Sequence, residues 1–274
     1  MLDGTMIDSA FLDFLERTAI AAGAEILLVR QSGAVVSYKS DATPVTGADE
    51  RAEALILAAL AERYPDIPVV AEEQTSAGHC PDCGAGRFFL VDALDGTKDF
   101  IQGRDEFTVN IALIDGEVPV AGVVHAPAMR RTWRGGPDGA DTAEIGPDGS
   151  IIGRVRIRTR PMPARPTAVK SFSHSETDTE TFLAGIPEHD TAVIGSSLKF
   201  CIVAEGKADI YPRLVNLMQW DTAAGDAVLR AAGGVTLTPE GGPVLYGQRD
   251  GSYANSRFVS LGCSEVPDWM PSGR

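Results

Sequence analysis

No apolar run in this chain of 274 residues approaches the roughly 18 residues needed to cross a bilayer, so no membrane-spanning helix is expected. Cysteine is scarce. Cys80, Cys83, Cys201 and Cys263 form no secreted disulfide pattern. Basic runs are absent too: 24 Lys and Arg against 38 Asp and Glu leave a formal net charge of −14. A nucleic-acid polymer or an anionic membrane is therefore a poor partner. Met1 to Asp8 holds two acids, no base and no long apolar stretch, so no secretory leader is expected and a reducing cytoplasm is the expected compartment. No internal repeat is visible. His79-Cys80-Pro81-Asp82-Cys83 invites a zinc or redox reading, but no second cysteine pair follows and the segment lies in a Gly-rich connection. An ordinary loop is expected there.

What the chain does have is concentrated in Val91-Asp92-Ala93-Leu94-Asp95-Gly96-Thr97-Lys98-Asp99-Phe100. The apolar run Phe88 to Val91 reads as a strand that delivers two carboxylates three positions apart. Gly96 and Thr97 follow, where a helix can begin. Carboxylate oxygens suit hard divalent cations, and backbone N–H groups at a helix start suit an anion. Metal and phosphate in one loop point to phosphoryl chemistry. The plainer alternative is a strand-to-turn junction, since Asp and Gly are ordinary turn residues. An EF-hand is excluded because positions 92, 94 and 96 read Asp, Leu and Gly. A haloacid-dehalogenase phosphatase needs its two Asp residues two apart; at a spacing of three they would leave a strand on opposite faces.

Three further acidic sites accompany this loop. The strand-like Ile67 to Ala71 runs into Glu72-Glu73, Trp220-Asp221 opens a helix that ends at Gly233-Gly234, and Pro44-Val45-Thr46-Gly47-Ala48-Asp49 precedes another helix. Each alone could be a strand end, an N-cap or a dipole partner.

Taken together and in this order, Pro-Val-Thr-x-Ala-Asp, Glu-Glu, Asp-x-Leu-Asp-Gly-Thr and Trp-Asp-x-Ala-Ala-Gly resemble the inositol monophosphatase superfamily of lithium-sensitive, magnesium-dependent phosphatases. The resemblance runs from about residue 10 to 262. Gly195-Ser196-Ser197-Leu198-Lys199-Phe200-Cys201, Ala204 to Arg213, Asp95 to Ile101 and Ser173-His174 are similar to the bisphosphate nucleotidase branch, which removes the 3′-phosphate of adenosine 3′,5′-bisphosphate. Two departures stand out. Phe172 occupies a position that is often Arg in that branch, and Ala93 replaces the usual Pro between the first Asp and Leu.

The resemblance implies a mixed α/β fold, a layered αβαβα sandwich of the inositol monophosphatase and fructose bisphosphatase type. It implies two magnesium ions, with a third, weakly bound one near Glu73 as an option. Glu72, Asp92 and the Leu94 carbonyl are expected to hold the first. Asp92, Asp95 and Asp221 are expected to hold the second. Asp49 and Thr97 are expected to orient and deprotonate the attacking water, and the N–H groups of Gly96 and Thr97 to receive the scissile phosphate. Lys199 and Arg213 are the expected partners of the 5′-phosphate, with Ser196 and His174 near the nucleotide. Bound magnesium also reconciles an acidic protein with a polyanionic substrate, since the ions become the largest local charges. The 5′-phosphosulfate analogue is a second candidate substrate. Inositol monophosphate, fructose 1,6-bisphosphate and histidinol phosphate are the alternatives within the superfamily, and a non-catalytic nucleotide-binding regulator lies outside it. A monomer or homodimer is expected.

Periodicity supplies a coarse scaffold. Ile7, Phe11, Phe14, Leu15, Thr18, Ala22 and Ile26 recur at helical spacing, and a second helix runs from about Ala48 to Tyr64, stopped by Pro65. Strands are expected at about 67–71 and 87–93, then a hairpin of Phe107–Ile114 and Pro119–His125. The Gly/Pro/Asp-rich stretch 135–150 reads as an exposed excursion. Strands near 154–159 and 167–171 and helices near 176–184, 196–205 and 221–232 follow. An N-terminal half, 1–150, carries most ligands; a C-terminal half, 151–274, carries Asp221 and the selectivity residues.

Overall fold

The computed structural model describes residues 7–33, 36–38, 44–84, 86–171, 177–186, 188–247 and 252–270. Helix α1 (Ser9–Ser32) starts where the Asp8 carboxylate accepts the Phe11 N–H at 2.8 Å, an N-cap that satisfies an otherwise orphaned donor. After the short pair β1 (Val36–Tyr38) and β2 (Pro44–Thr46), helix α2 (Gly47–Arg63) starts with a capping box between Thr46 and Asp49. The chain continues through β3 (Val69–Ala71), α3 (Glu72–Ser76), β4 (Arg87–Asp95) and α4 (Thr97–Ile101). Five antiparallel strands follow: β5 (Thr108–Asp115), β6 (Val118–Ala126), β7 (Arg131–Gly136), β8 (Gly139–Ile145) and β9 (Ile151–Ile157). The second half holds β10 (Thr167–Lys170), α5 (Thr177–Ala184), β11 (Asp190–Val193), α6 (Leu198–Ala204) and β12 (Ile210–Arg213). It closes with β13 (Leu217–Met218), α7 (Gln219–Ala231), β14 (Val235–Leu237), β15 (Ala254–Asn255) and β16 (Phe258–Leu261).

Side-chain alternation sorts these elements into layers. Strands β3 to β9 form a seven-stranded sheet in sequence order, with only the β3–β4 pair parallel. On β4, Phe89 and Val91 join the core beneath α1 and α2, whereas Phe88 and Leu90 join the core beneath α6 and α7. Strands β5 and β6 divide the same way, as period-two geometry requires. The five-stranded sheet β11-β10-β12-β16-β14 repeats the pattern. Val169, Tyr211 and Phe258 face α6 and α7, while Ala168, Ile210 and Val259 share a third core with Leu183 of α5. The order is therefore α1/α2, sheet, α6/α7, sheet, α5: the expected αβαβα sandwich.

Helix α7 lies against the seven-stranded sheet at unusually short range. A Cβ at Gly122 would meet the Ala224 carbonyl at 2.6 Å, and one at Gly135 would meet the Val228 Cα at 2.7 Å. Both positions exclude any side chain, and this closeness sets how near the first turn of α7 stands to β4.

The helix and strand expectations are met within a few residues, with one correction. Residues 135–150 are no exposed excursion. Gly136 to Gly139 and Gly146 to Ser150 are two tight turns, and β8 between them is paired on both sides and largely buried. The turn residues are legible in the sequence; the strand they enclose is not. The seven-stranded sheet also continues to Ile157, past residue 150. Beneath it Glu16 of α1 is fully buried, accepting from Thr132 Oγ1 and Arg154 Nη2, each at 2.6 Å, with Arg134 at 3.4 Å.

Candidate active site

An unbroken strand would direct Asp92 and Asp95 to opposite faces of the sheet. Strand β4 is not unbroken. Asp92 pairs with Asn110 and Asp95 with Thr108, so β4 spends three steps where β5 spends two. This bulge re-aims the end of β4, and both carboxylates line one cleft of about 540 Å³. The spacing that argued against a haloacid-dehalogenase site is thus reconciled with a shared site by one extra residue.

The other carboxylates arrive from separate elements. Glu72 opens α3, whose first turn is capped by the buried Glu53 of α2. Glu53 accepts the N–H groups of Glu73 at 2.8 Å and Gln74 at 2.9 Å. Asp221 sits in the first turn of α7, where its Oδ2 accepts the Met218 N–H at 3.1 Å. Asp92 Oδ1 accepts the Leu94 N–H at 2.9 Å. Carboxylate oxygens of Glu72, Asp92 and Asp221 come within 4.8 Å of one another.

Burial, and then mutual repulsion, push Asp92 and Asp221 well above the ordinary carboxylate range; Glu72 and Asp95 are the repelling neighbours of both. Asp95 is raised by burial and held back by Lys199 and Ser197. Its Oδ2 is turned toward Ser197, accepting the backbone N–H at 2.7 Å and lying 3.0 Å from Oγ. Three hard, anionic oxygen donors this close in a buried cleft are the chemistry that suits a divalent ion such as magnesium, which neutralises the repulsion they otherwise suffer. The donor set fits. Glu73, expected near a third ion, is not among the residues lining the cleft.

Thr97 follows Gly96, whose left-handed φ of +93° caps α4. A Cβ on Gly96 would also meet the Glu106 carbonyl at 3.0 Å, so two constraints demand glycine here. Thr97 Oγ1 lies 3.2 Å from Asp49 Oδ1. Asp49 Oδ2 is meanwhile held by the Thr46 N–H and hydroxyl, each at 2.7 Å. Burial raises the Asp49 carboxyl above its usual range, with the Thr46 hydrogen bonds opposing.

Lys199 and Arg213 line the same cleft, near enough to act electrostatically on Asp95 and Asp221 respectively. Lys199 is only 4 % exposed; its Nζ donates to the Ser196 carbonyl at 2.7 Å and lies 5.4 Å from the centre of the Tyr211 ring. Burial lowers its pKa to about 8, against the opposing pull of Asp95. Arg213 donates to Ser171 Oγ at 3.3 Å. Ser196 holds a left-handed φ of +47°, rare for a non-glycine residue, and its buried hydroxyl oxygen has no hydrogen-bond partner among the described residues. His174 and Phe172 lie outside the described residues. Cys80 and Cys83 are free thiols, and His79 joins neither in a metal-sized cluster among the described residues.

Sequence reasoning passed over Ser197, Asn110 and Glu53, all buried and all bonded to the cluster or to its supporting backbone. Ser197 lies within the Gly195 to Cys201 motif, where nothing local distinguishes it from its neighbour Ser196. Nothing in local sequence marks Asn110 or Glu53.

Comparison with known proteins identifies the family. The profile of the inositol monophosphatase family matches residues 8–267. The 3'(2'),5'-bisphosphate nucleotidase CysQ of Escherichia coli K12 is 42% identical over 81% of this chain and 87% of its own length. That of Haemophilus influenzae is 30% identical over 92% of each. The crystal structure of CysQ from Bacteroides thetaiotaomicron superposes with a TM-score of 0.77 at 30% identity, covering 98% of this chain and 100% of that one. An inositol monophosphatase from Anabaena shares the fold, with a TM-score of 0.70 at 24% identity over 93% of this chain and 91% of that one. Among the described residues no helix is long and apolar enough to cross a membrane. A profile spanning nearly the whole chain and relatives at this identity make the chain a member of the inositol monophosphatase family.

Proposed function

We propose that this chain is a magnesium-dependent phosphatase acting on adenosine 3′,5′-bisphosphate, with water as the acceptor and AMP and inorganic phosphate as products. The observation that carries this reading is a single cleft lined by Glu72, Asp92, Asp95 and Asp221 together with Lys199 and Arg213. Acids alone would serve any phosphate monoester of the family. Two cations in the same cleft suit a second phosphate. Relatives named 3'(2'),5'-bisphosphate nucleotidase at 42% identity point the same way. The 5′-phosphosulfate analogue presents a similar anion at the same place and is a second candidate substrate.

Glu72, Asp92 and the Leu94 carbonyl would hold one ion, and Asp92, Asp95 and Asp221 another, from both halves of the chain. When bound, such ions supply charge neutralisation and Lewis acidity at the transferred phosphoryl group. The protein's own groups do the rest. The N–H groups of Gly96 and Thr97, at the start of α4, would receive the scissile phosphate. Thr97 Oγ1 takes a proton from the attacking water as it passes its own to Asp49 Oδ1, and burial of Asp49 makes that carboxylate a stronger base than an exposed one. Lys199 and Arg213 hold the 5′-phosphate and so fix which ester bond reaches the acids. A cytoplasmic monomer or homodimer completes the reading.

The test is inorganic phosphate release from adenosine 3′,5′-bisphosphate with and without magnesium, against inositol 1-phosphate and fructose 1,6-bisphosphate, with Asp95→Asn as the blank. A magnesium-dependent preference for the bisphosphate is expected. Preference for a sugar or inositol phosphate overturns the substrate assignment, and no release from any of them overturns catalysis itself.

A further inference from the structure

Two of the carboxylates in the cleft are tied together by one hydroxyl. Ser197 Oγ lies 2.7 Å from the backbone carbonyl of Asp221 and 3.0 Å from Asp95 Oδ2, and it accepts the Asn110 Nδ2–H at 2.9 Å. The Ser197 backbone N–H donates to the same Asp95 oxygen at 2.7 Å. Ser197 and Asn110 are 2 % and 0 % exposed, so water does not compete for these bonds. A serine hydroxyl has one proton and two lone pairs. Asn110 occupies a lone pair, which leaves the proton two acceptors: the Asp95 carboxylate and the Asp221 carbonyl. The left-handed backbone of Ser196 turns the chain so that the N–H and hydroxyl of the next residue meet the end of β4 together.

The elements joined are distant in sequence: Asp95 ends β4, Asn110 lies on β5, and Asp221 opens α7. Apolar packing holds α7 against β4, but that attraction is non-directional and tolerates small sliding. A buried hydrogen bond fixes a distance to a few tenths of an ångström.

We propose that Ser197, its hydroxyl oriented by Asn110, is a positioning residue that sets the separation between Asp95 and the first turn of α7 and thereby tunes the affinity of the cluster for divalent cations. The inference rests on reading that cluster as a magnesium site. The experiment is calorimetric titration of magnesium chloride into the metal-free full-length protein, with thermal melting of the same samples and kcat and KM at saturating magnesium. Ser197→Ala is expected to weaken magnesium binding by about 10- to 100-fold, as loss of a group that orients a ligand typically does. KM for the nucleotide is expected to stay within about twofold, because no substrate contact is removed. Ser197→Cys, close to serine in volume but a weak donor, carries the same expectation should the alanine variant fail to fold. A folded variant whose magnesium affinity matches the parent overturns the proposal, whatever its melting temperature, since a purely structural role would move only the latter. A parent protein that binds no magnesium overturns the metal-site reading itself and is distinguished by that control.

Discussion

Thr97 Oγ1 stands 3.2 Å from Asp49 Oδ1 and 3.1 Å from the Leu94 carbonyl oxygen, so one hydroxyl bridges the start of α2 and the bulged end of β4. Its single proton can serve only one acceptor at a time. That competition is what a relay needs: the hydroxyl gives its proton to Asp49 as it takes another. Thr97→Val keeps the shape and removes the hydroxyl, and Asp49→Asn removes the base. Each is expected to lower kcat by about 10²- to 10⁴-fold. Magnesium binding, measured separately by calorimetry, is expected to persist. Asp49→Asn should also cost about 1 kcal/mol of stability, because Asp49 closes the capping box of α2. A kcat loss below tenfold in both variants would remove the relay.

Asp92 sits at the centre of the carboxylate repulsion. Its folded pKa is raised, so the folded metal-free protein binds more protons than the unfolded chain between the ordinary value of 3.8 and that raised value. Stability from this group is therefore present at low pH and lost as pH rises through the window. Asp92→Asn removes the charge and is expected to stabilise the metal-free protein at pH 7 by on the order of 1 kcal/mol, roughly 2–4 °C in melting temperature. The same change should abolish the stabilisation that magnesium gives the parent. Melting curves with and without magnesium decide it; a destabilised metal-free variant would contradict the repulsion argument.

Lys199 carries a pH signature. Burial lowers its pKa to about 8, and bound cations push in the same direction, so its charge is lost as pH rises toward 8. If Lys199 binds the 5′-phosphate, KM for the bisphosphate should climb as pH rises through that range. KM for adenosine 3′-monophosphate, which lacks that phosphate, should not. Lys199→Ala should raise the bisphosphate KM and flatten its pH dependence while sparing the monophosphate. Equal losses on both substrates would assign Lys199 a structural task through its bonds to the Ser196 and Ile194 carbonyls.

Gly122 links the core to the cleft. A Cβ there would meet the Ala224 carbonyl at 2.6 Å and the Ala227 Cβ at 2.8 Å. Gly122→Ala is expected to lift α7 from the sheet, costing about 1–3 kcal/mol. Because Asp221 rides on the first turn of that helix, magnesium affinity should fall as well. Denaturant unfolding together with magnesium titration tests both; an unchanged affinity would show that the first turn is held independently of the helix body.

Much of this was legible beforehand. Acidic motifs at 49, 72, 92–95 and 221 announced both the family and the chemistry, because hard cations and phosphate esters tolerate few alternatives to carboxylates and a glycine turn. Helical spacing located α1 and α2, and β-rich apolar runs located β4 to β6. Strand β8 is hidden in the sequence because its ends are turn residues and its middle, Ala140 to Ile145, carries polar residues that pair within the sheet.

The division between the two sources is physical. Residue type alone determined what the cleft can bind, since donor hardness and charge belong to the side chain. Which donors meet was decided only in three dimensions. The extra residue in β4 turns Asp95 to the side of Asp92, the bare surface of Gly122 lets α7 bring Asp221 alongside, and Ser197, 102 positions from Asp95, ties the two together. Such distances depend on how layers pack around a common core, and packing is a property of the whole chain that no local motif encodes.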